Sequence, residues 1–333
     1  MPNRVHATNL VAWAKDHPEV VVLSGDLTGS TEIAEFKAAY PERFFSLGMA
    51  EQNMLSWAGG MAREGYTPFL HTFAVFLVRR PYDQLSMSVA YPNLPVRLFG
   101  FLPGITTPGG VTHQAIEDVS LMRGMPNMTV LEVGDATDVE SVLDVAQAVD
   151  GPVYVRMLRG EIPRLFDQPM QLDTARVLSV GRDVCILSSG ISTEEAMRAT
   201  AALVAKGVSV SLLHVSTLKP FTDRRILEAA GRATKGVITF ENHTINGGLG
   251  TAVAEVMAEN GVGAPLTRLG LRDVYAHGAS RPYLQDEYGL TASALVREVE
   301  GILGDHLDID PDDLLPGSNT ELPAIDDTQL EAL

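Results

Sequence analysis

One acidic residue, Glu51, has neighbours that are unusual for a carboxyl group. It follows the stretch FFSLGMA, in which residues 44–47 predict a short buried strand and Gly48 a turn, and it opens a predicted helix that includes Trp57. An acid in the first turn is commonly a helix cap, and that is the simpler interpretation of a lone glutamate. Here apolar neighbours make ionisation costly and favour the protonated form. A neutral carboxyl group can donate to a partner base, so Glu51 is a candidate for chemistry.

Four stretches follow predicted strands, and one of them ends in Glu51: 24–31, 48–51, 101–113 and 156–160. Ligands of open α/β sheets bind beyond the carboxyl ends of the strands. The stretch SGDLTGST offers glycines, hydroxyls and free amides, which suit an anion. His113 ends a loop rich in Pro and Gly, where a histidine is a better candidate than on an apolar helix face. Arg159 could pair with a phosphate or merely with a surface acid.

The elements that position these residues alternate between strand and helix patterns almost from the start. This alternation predicts an α/β protein with two open, mostly parallel sheets covered by helices. We expect a short strand at 67–70, a helix over 72–90 that Pro81 interrupts, and an edge strand at 266–269. The predicted domains are residues 1–160 and 181–304, with a linker at 161–180 and an acidic tail at 305–333.

Composition narrows the function classes. The 333 residues carry a net charge of −17, which argues against binding to nucleic acids or to anionic membranes. No apolar run is long enough to span a bilayer, and the N-terminus lacks the apolar core of a signal peptide. A single cysteine, Cys185, fits a reducing compartment, so we expect a cytoplasmic protein. The tail at 305–333 holds nine acids and no Lys or Arg, and we expect a solvated, weakly structured segment.

Several motifs together resemble the C-terminal half of transketolases, over roughly residues 4–303. FFSLGMAEQNM is similar to the family's strand–turn–Glu motif, and HTFAVFLVRRPYDQL to its aromatic pyrimidine-binding helix. GGVTHQAIEDVSLMRGMPNM resembles the active-site loop, and SGDLTGST the early phosphate-side loop. STLKPF and FENHTINGGLGTAVAE resemble the C-terminal domain. The resemblance implies a pyrimidine-binding domain followed by a transketolase C-terminal domain, whose role is mainly structural.

The resemblance also implies thiamine diphosphate as cofactor and a two-carbon ketol transfer from a ketose donor to an aldehyde acceptor. It gives Glu51 a hydrogen bond to the cofactor's aminopyrimidine and Phe76 a stacking contact, with Phe73 beside it. Asp26 and Leu27 of the early loop are expected at the cofactor. His113 is expected to contact substrate hydroxyls. Ser30 and Arg159, with Arg4 as a looser match, would bind the acceptor's phosphate.

The Gly-Asp-Gly start of the usual diphosphate and Mg²⁺ site is incomplete. Two stretches begin in this way, but Gly25-Asp26-Leu27 has Leu and Gly134-Asp135-Ala136 has Ala where the motif has its second glycine. The resemblance therefore implies that this chain binds no metal itself. A partner, the N-terminal-half transketolase subunit, would hold Mg²⁺ and the diphosphate, and an α2β2 heterotetramer is the expected assembly.

Two positions depart from the family pattern. Gly109 stands where the loop usually has an acid, and Phe101 where a phosphate-side histidine is usual. Ordinary sugar-phosphate specificity is therefore in doubt. Three alternatives stay open: the β subunit of a 2-oxo-acid dehydrogenase, an enzyme like deoxyxylulose phosphate synthase, and a catalytically silent scaffold subunit.

Overall fold

The computed structural model of the protein describes residues 4–323 and 325. It contains two open β-sheets, each covered by helices. This confirms the predicted fold class. The first half contains α1 (Val5–Trp13), β1 (Val20–Ser24), α2 (Ala34–Ala39), β2 (Phe44–Ser46), α3 (Glu51–Arg63), β3 (Thr67–Phe73), α4 (Ala74–Val78), α5 (Tyr82–Gln84), β4 (Arg97–Phe101), α6 (Asp118–Arg123), β5 (Thr129–Glu132), α7 (Ala136–Gln147) and β6 (Val153–Met157). The second half contains β7 (Arg176–Ser179), β8 (Val184–Ser188), α8 (Ser192–Ala205), β9 (Val210–His214), β10 (Thr217–Lys219), α9 (Arg224–Arg232), β11 (Gly236–Thr244), α10 (Leu249–Glu259), β12 (Leu266–Leu271), α11 (Arg281–Glu287) and α12 (Ala292–Leu303).

The first sheet has the strand order β10-β5-β6-β4-β3-β1-β2, and every pair is parallel except β10 with β5. Its central strands are apolar and buried on both faces, which is typical of parallel sheets between helices. Ser24 of β1 pairs with both Ser46 of β2 and His71 of β3, so these strands end side by side. The loops that follow them therefore meet at one edge.

The second sheet has the order β12-β11-β8-β9-β7, and β7 runs antiparallel to β9. β12 lies at its edge, as predicted. β7 falls inside the predicted linker at 161–180, so that segment is not wholly irregular; a run of four residues, RVLS, is too short to show a period. β10, from the second half of the chain, extends the first sheet and ties the two halves together.

The predicted helix over 72–90 is interrupted near Pro81, as expected, but it does not begin at residue 72. β3 continues to Phe73, because all seven of its residues are buried in the sheet centre. Three short pieces follow: α4, α5 after Pro81, and a π-helix at Leu85–Ala90. This segmentation lets the aromatic residues at 73 and 76 lie at the strand ends rather than along a continuous helix.

The acidic tail packs more closely than predicted. Leu314 is buried in a short 3₁₀-helix, Pro311–Leu314, and Leu307 and Ile309 pack against the same core of the second domain. Apolar side chains between the acids thus hold 307–314 to the protein. The rest of the predicted tail, residues 324 and 326–333, lies outside the described residues. Within the described part, no helix is long and apolar enough to cross a membrane.

Candidate active site

Glu51 is the first residue of α3, and its side chain is only 2% exposed. The turn before it needs Gly48, whose φ of 72° is in the left-handed region. Met54 and Leu55 anchor the helix in the core. A Cβ built on Gly25, at the end of β1, would lie 3.6 Å from Oε1 of Glu51. The carboxyl group is therefore directed at the edge where the strands of the first sheet end.

Arg80 faces this carboxyl group. Its Nη1 donates to both oxygens of Glu51 at 3.2 Å, and its guanidinium carbon lies 4.2 Å from the centroid of the Phe76 ring. The surroundings of Glu51 are therefore not only the apolar residues that its sequence neighbours indicate, because a guanidinium group also contacts the carboxyl group. The sequence did not identify Arg80 as the partner of Glu51, because its neighbour Arg79 is an equally good candidate for that role. In the structure Arg79 pairs with Glu117 instead.

Three ring side chains converge beside this pair. The rings of Phe73 and Phe76 are stacked, with centroids 5.8 Å apart and planes at 27°. The His113 ring meets Phe76 edge-on at 5.4 Å and Phe73 at 6.1 Å. His113 Nδ1 is 2.9 Å from the Thr112 hydroxyl. The structure thus brings these three predicted residues together; the roles assigned to them stay predictions.

A hydrogen bond joins two of the predicted substrate-binding residues, Arg159 and Ser30. Nη1 of Arg159 donates to the Ser30 carbonyl at 2.9 Å, and the guanidinium lies 5.9 Å from the Phe73 ring centroid. In the same direction, the amide of Gly160 donates to Oε1 of Glu32 at 2.8 Å. Sequence reasoning missed Glu32, because its partner lies 128 residues away.

Glu32 places a negative charge among these arginines. Its side chain is 3% exposed, and Oε2 has no hydrogen-bond donor among the described residues. Burial raises the pKa of Glu32, while the Gly160 amide and the charges of Arg4 and Arg159 oppose that rise. Arg4, just before α1, is exposed. A substrate group bound here would therefore meet two cations and one buried acid.

The early loop contributes less to the site than its sequence indicates. Asp26 is exposed and has a φ of 67°. Leu27 packs partly buried against the core, and its carbonyl accepts from both the amide and the hydroxyl of Thr31. Both residues lie at the correct strand end, but no side-chain contact joins either of them to Glu51 among the contacts of the described residues.

The two departures from the family pattern have structural explanations. Phe101 is fully buried and packs against the rings of His6 and His71, so position 101 belongs to the core. A Cβ on Gly109 would lie 2.9 Å from Cβ of His113. An acid at position 109 would therefore displace His113 from its present place.

No group of three or more His, Cys, Asp or Glu side chains is arranged to hold a metal ion in residues 4–323 and 325. What the site does contain is a buried acid, two phenylalanine faces and a loop histidine, with a flat guanidinium between the acid and one of the faces. This arrangement suits a flat heterocycle that donates hydrogen bonds at its edge.

Comparison with known proteins gives two family matches. The model for "Transketolase, pyrimidine binding domain" matches residues 4–164, and that for "Transketolase, C-terminal domain" matches residues 173–295. A transketolase family protein of Sinorhizobium fredii, y4mN, is 40% identical over 295 residues, which are 87% of this chain and 86% of that protein. The 6-deoxy-6-sulfo-D-fructose transketolase subunit SqwH of Clostridium sp. MSTE9 is 39% identical over 291 residues, 86% of this chain and 90% of that subunit.

A solved structure of a split-gene transketolase, an inactive β4 tetramer, matches with a TM-score of 0.81 and 37% identity. The match covers 90% of this chain and 97% of that one. The 1-deoxy-D-xylulose-5-phosphate synthase 1 of Geobacter sulfurreducens is 32% identical over 306 residues, but these span only 47% of that enzyme.

Proposed function

Since this chain belongs to the transketolase family, we propose that it is the pyrimidine-binding subunit of a split transketolase that uses thiamine diphosphate. The enzyme transfers a two-carbon ketol unit from a ketose to an aldehyde. The main support is the guanidinium of Arg80, which lies over the Phe76 ring and donates to Glu51. A planar donor therefore fits the space that an aminopyrimidine needs.

Thiamine diphosphate, when bound, supplies the electron sink for breaking and forming the carbon–carbon bond. The chain's own residues bind and orient. Phe76 presents a ring face for stacking, and Glu51 holds a hydrogen bond or a proton at a ring nitrogen. For Glu51 to do so, Arg80 gives up its two hydrogen bonds. His113, edge-on to both phenylalanine rings, donates to a substrate hydroxyl.

A protein partner is supported by an exposed apolar surface beside Glu51. Met49, just before α3, is 80% exposed, and Trp57 on α3 is 46% exposed. Met87 and Tyr91 are exposed on the adjoining helical segment, which packs against α3 where Gly59 approaches Ser88. Exposed apolar clusters of this kind are typical of protein interfaces. We propose that the subunit with the diphosphate and Mg²⁺ site docks here, in an α2β2 heterotetramer.

Reconstitution tests this proposal. The chain alone should transfer no ketol unit, and mixing it with the purified N-terminal-half subunit, thiamine diphosphate and Mg²⁺ should produce activity. The matching split-gene transketolase is an inactive β4 tetramer, so we also expect that self-association does not replace the partner. Full activity of this chain by itself would refute the split arrangement.

A second candidate function is deoxyxylulose-phosphate-synthase-type condensation, because such synthases are among the similar proteins. That reaction releases CO₂ from a 2-oxo acid, whereas ketol transfer does not. Supplying the reconstituted complex with pyruvate and an aldehyde, and measuring CO₂, separates the two. Stoichiometric CO₂ release would favour the synthase, and its absence alongside ketol transfer would favour the transketolase.

A further inference from the structure

The loop that carries His113 is closed at its base. We call residues 103–116, between β4 and α6, the His113 loop. The Gly104 amide donates to the Ala115 carbonyl at 2.7 Å, and Pro103 forms an isolated bridge with Ala115. The intervening sequence, ITTPGGVTHQ, has few side chains large enough to pack. Contacts at this neck therefore help to position the loop, together with Arg79 of the first domain, which donates to two loop carbonyls at 3.1 Å each.

The neck is held by Asn242, a buried residue of β11 in the second domain. Its Oδ1 accepts from the Ile105 amide at 3.0 Å, and its Nδ2 donates to the Pro103 carbonyl at 3.2 Å. One side-chain amide thus binds the backbone on both sides of Gly104. Gly104 has a φ of 59°, and a Cβ there would lie 2.3 Å from Oδ1 of Asn242. The present position of the Asn242 side chain therefore requires a glycine at position 104.

Further contacts extend this attachment along the loop. The Thr244 amide, two residues after Asn242, donates to the Ile116 carbonyl at 2.8 Å. Gln114, next to His113, donates through Nε2 to the Thr107 carbonyl inside the loop and to the His277 carbonyl of the second domain. A Cβ on Gly110 would lie 3.3 Å from the Gly278 amide, so the two backbones touch near the loop tip. The second domain therefore holds both neck and tip.

We propose that Asn242 is a positioning residue for the reaction: it fixes the neck of the His113 loop and so holds His113 against Phe73 and Phe76. The second domain then takes part in shaping the site, although none of its described residues supplies a side chain to Glu51. The inference rests on the proposed function only for the statement that His113 contacts substrate.

Three measurements test it. In the isolated full chain, Asn242→Ala should speed amide hydrogen exchange in 104–114 while exchange in α3 and β3 stays the same. In the reconstituted complex, it should raise the substrate KM by about tenfold to a hundredfold, because small misplacements of a binding group are costly. The dissociation constant of thiamine diphosphate should change by less than about twofold, since the hydrogen bonds of the Asn242 side chain go to the loop backbone and involve neither Glu51 nor Phe76.

The matched control is Asn260→Ala, which removes an exposed asparagine that donates to the Val256 carbonyl in the same domain. It should change none of these quantities. Gly104→Ala should reproduce the KM increase by clashing with Asn242, and the double variant with Asn242→Ala should be less impaired than the sum of the two single effects.

Unchanged exchange in 104–114, or additive effects of the two substitutions, would overturn the proposal. A rise in the cofactor's dissociation constant as large as the rise in KM would also overturn it, because it would indicate general loosening. If the complex shows no transfer at all, the proposed function fails while the exchange measurement still decides the role of Asn242. If Asn242→Ala does not fold, Asn242→Asp provides the exchange test, because it keeps the acceptor for the Ile105 amide but loses the donor to the Pro103 carbonyl.

Discussion

Replacing Asp118 by Asn tests a charge cluster that lies buried between the two sheets. Arg156 donates from Nε to Oδ2 of Asp118 at 2.7 Å and from Nη2 to Oδ1 at 3.0 Å, and both side chains are fully buried. The same guanidinium donates to Glu132 at 2.5 Å and to the Asn242 carbonyl at 3.1 Å. Burial alone would raise the pKa of Asp118, but Arg156 and then His243 outweigh it and lower the pKa. Asp118 is therefore ionised at neutral pH.

Asn keeps the shape of Asp but removes the charge, and Arg156 is left with one carboxylate partner, Glu132. Breaking a buried ion pair typically costs about 3–5 kcal/mol, and the remaining partner places the expected loss near about 3 kcal/mol. Urea unfolding at pH 7 measures it. The control is Glu140→Gln, because Glu140 pairs with Arg164 at the surface and should cost about 0–1 kcal/mol. An Asp118→Asn loss no larger than the control's would refute this reasoning.

Three further predictions concern acid stability, specificity and assembly. Burial lowers the pKa of His6 to about 3, so between pH 6.5 and about 3 this residue binds a proton in the unfolded chain but not in the folded chain. Its share of the fall in unfolding free energy should be about 1.4 kcal/mol per pH unit, beside the shares of His71 and His243, whose pKa values burial also lowers. His6→Gln should reduce the slope by that share in acid-titrated denaturation. Glu32→Gln keeps the oxygen that accepts from the Gly160 amide but removes the charge near Arg159. The kcat/KM for a phosphorylated aldehyde substrate should therefore rise about tenfold relative to the kcat/KM for its unphosphorylated counterpart. An unchanged ratio would contradict this. Trp57→Lys should weaken partner binding in sedimentation experiments, whereas Leu172→Lys, also exposed, should not; equal effects would count against the docking surface.

The positions of Glu51 and His113 were predictable because each follows a strand of a parallel sheet, and strand ends meet at one edge. Phe76 was placed at the site only by the family resemblance. The contacts of Arg80 and Asn242 were not predictable from the sequence. Arg80 reaches Glu51 across 29 residues, and Asn242 reaches Ile105 across 137. Such pairings depend on how the helices and the two domains pack, which local periodicity does not encode.

Short elements were also beyond prediction, for a different reason. β7 and β10 have four and three residues, too few to show a repeating pattern, and each is stabilised by the neighbour it pairs with rather than by its own residues. Tertiary pairing thus outweighs local propensity in both strands. The same limit explains why the predicted helix over 72–90 is three pieces.

The most direct test of the central claim is the rate at which the C2 proton of thiamine diphosphate exchanges with solvent in the reconstituted complex. The hydrogen bond proposed between Glu51 and the aminopyrimidine would activate the nitrogen that removes this proton. Glu51→Ala should slow this exchange by about 10²–10⁴-fold, the usual contribution of a positioned acid or base. Glu64→Ala, which removes an exposed acid at the other end of α3, should leave it unchanged. Exchange in the Glu51→Ala complex at the rate of the unsubstituted complex would contradict the role proposed for Glu51.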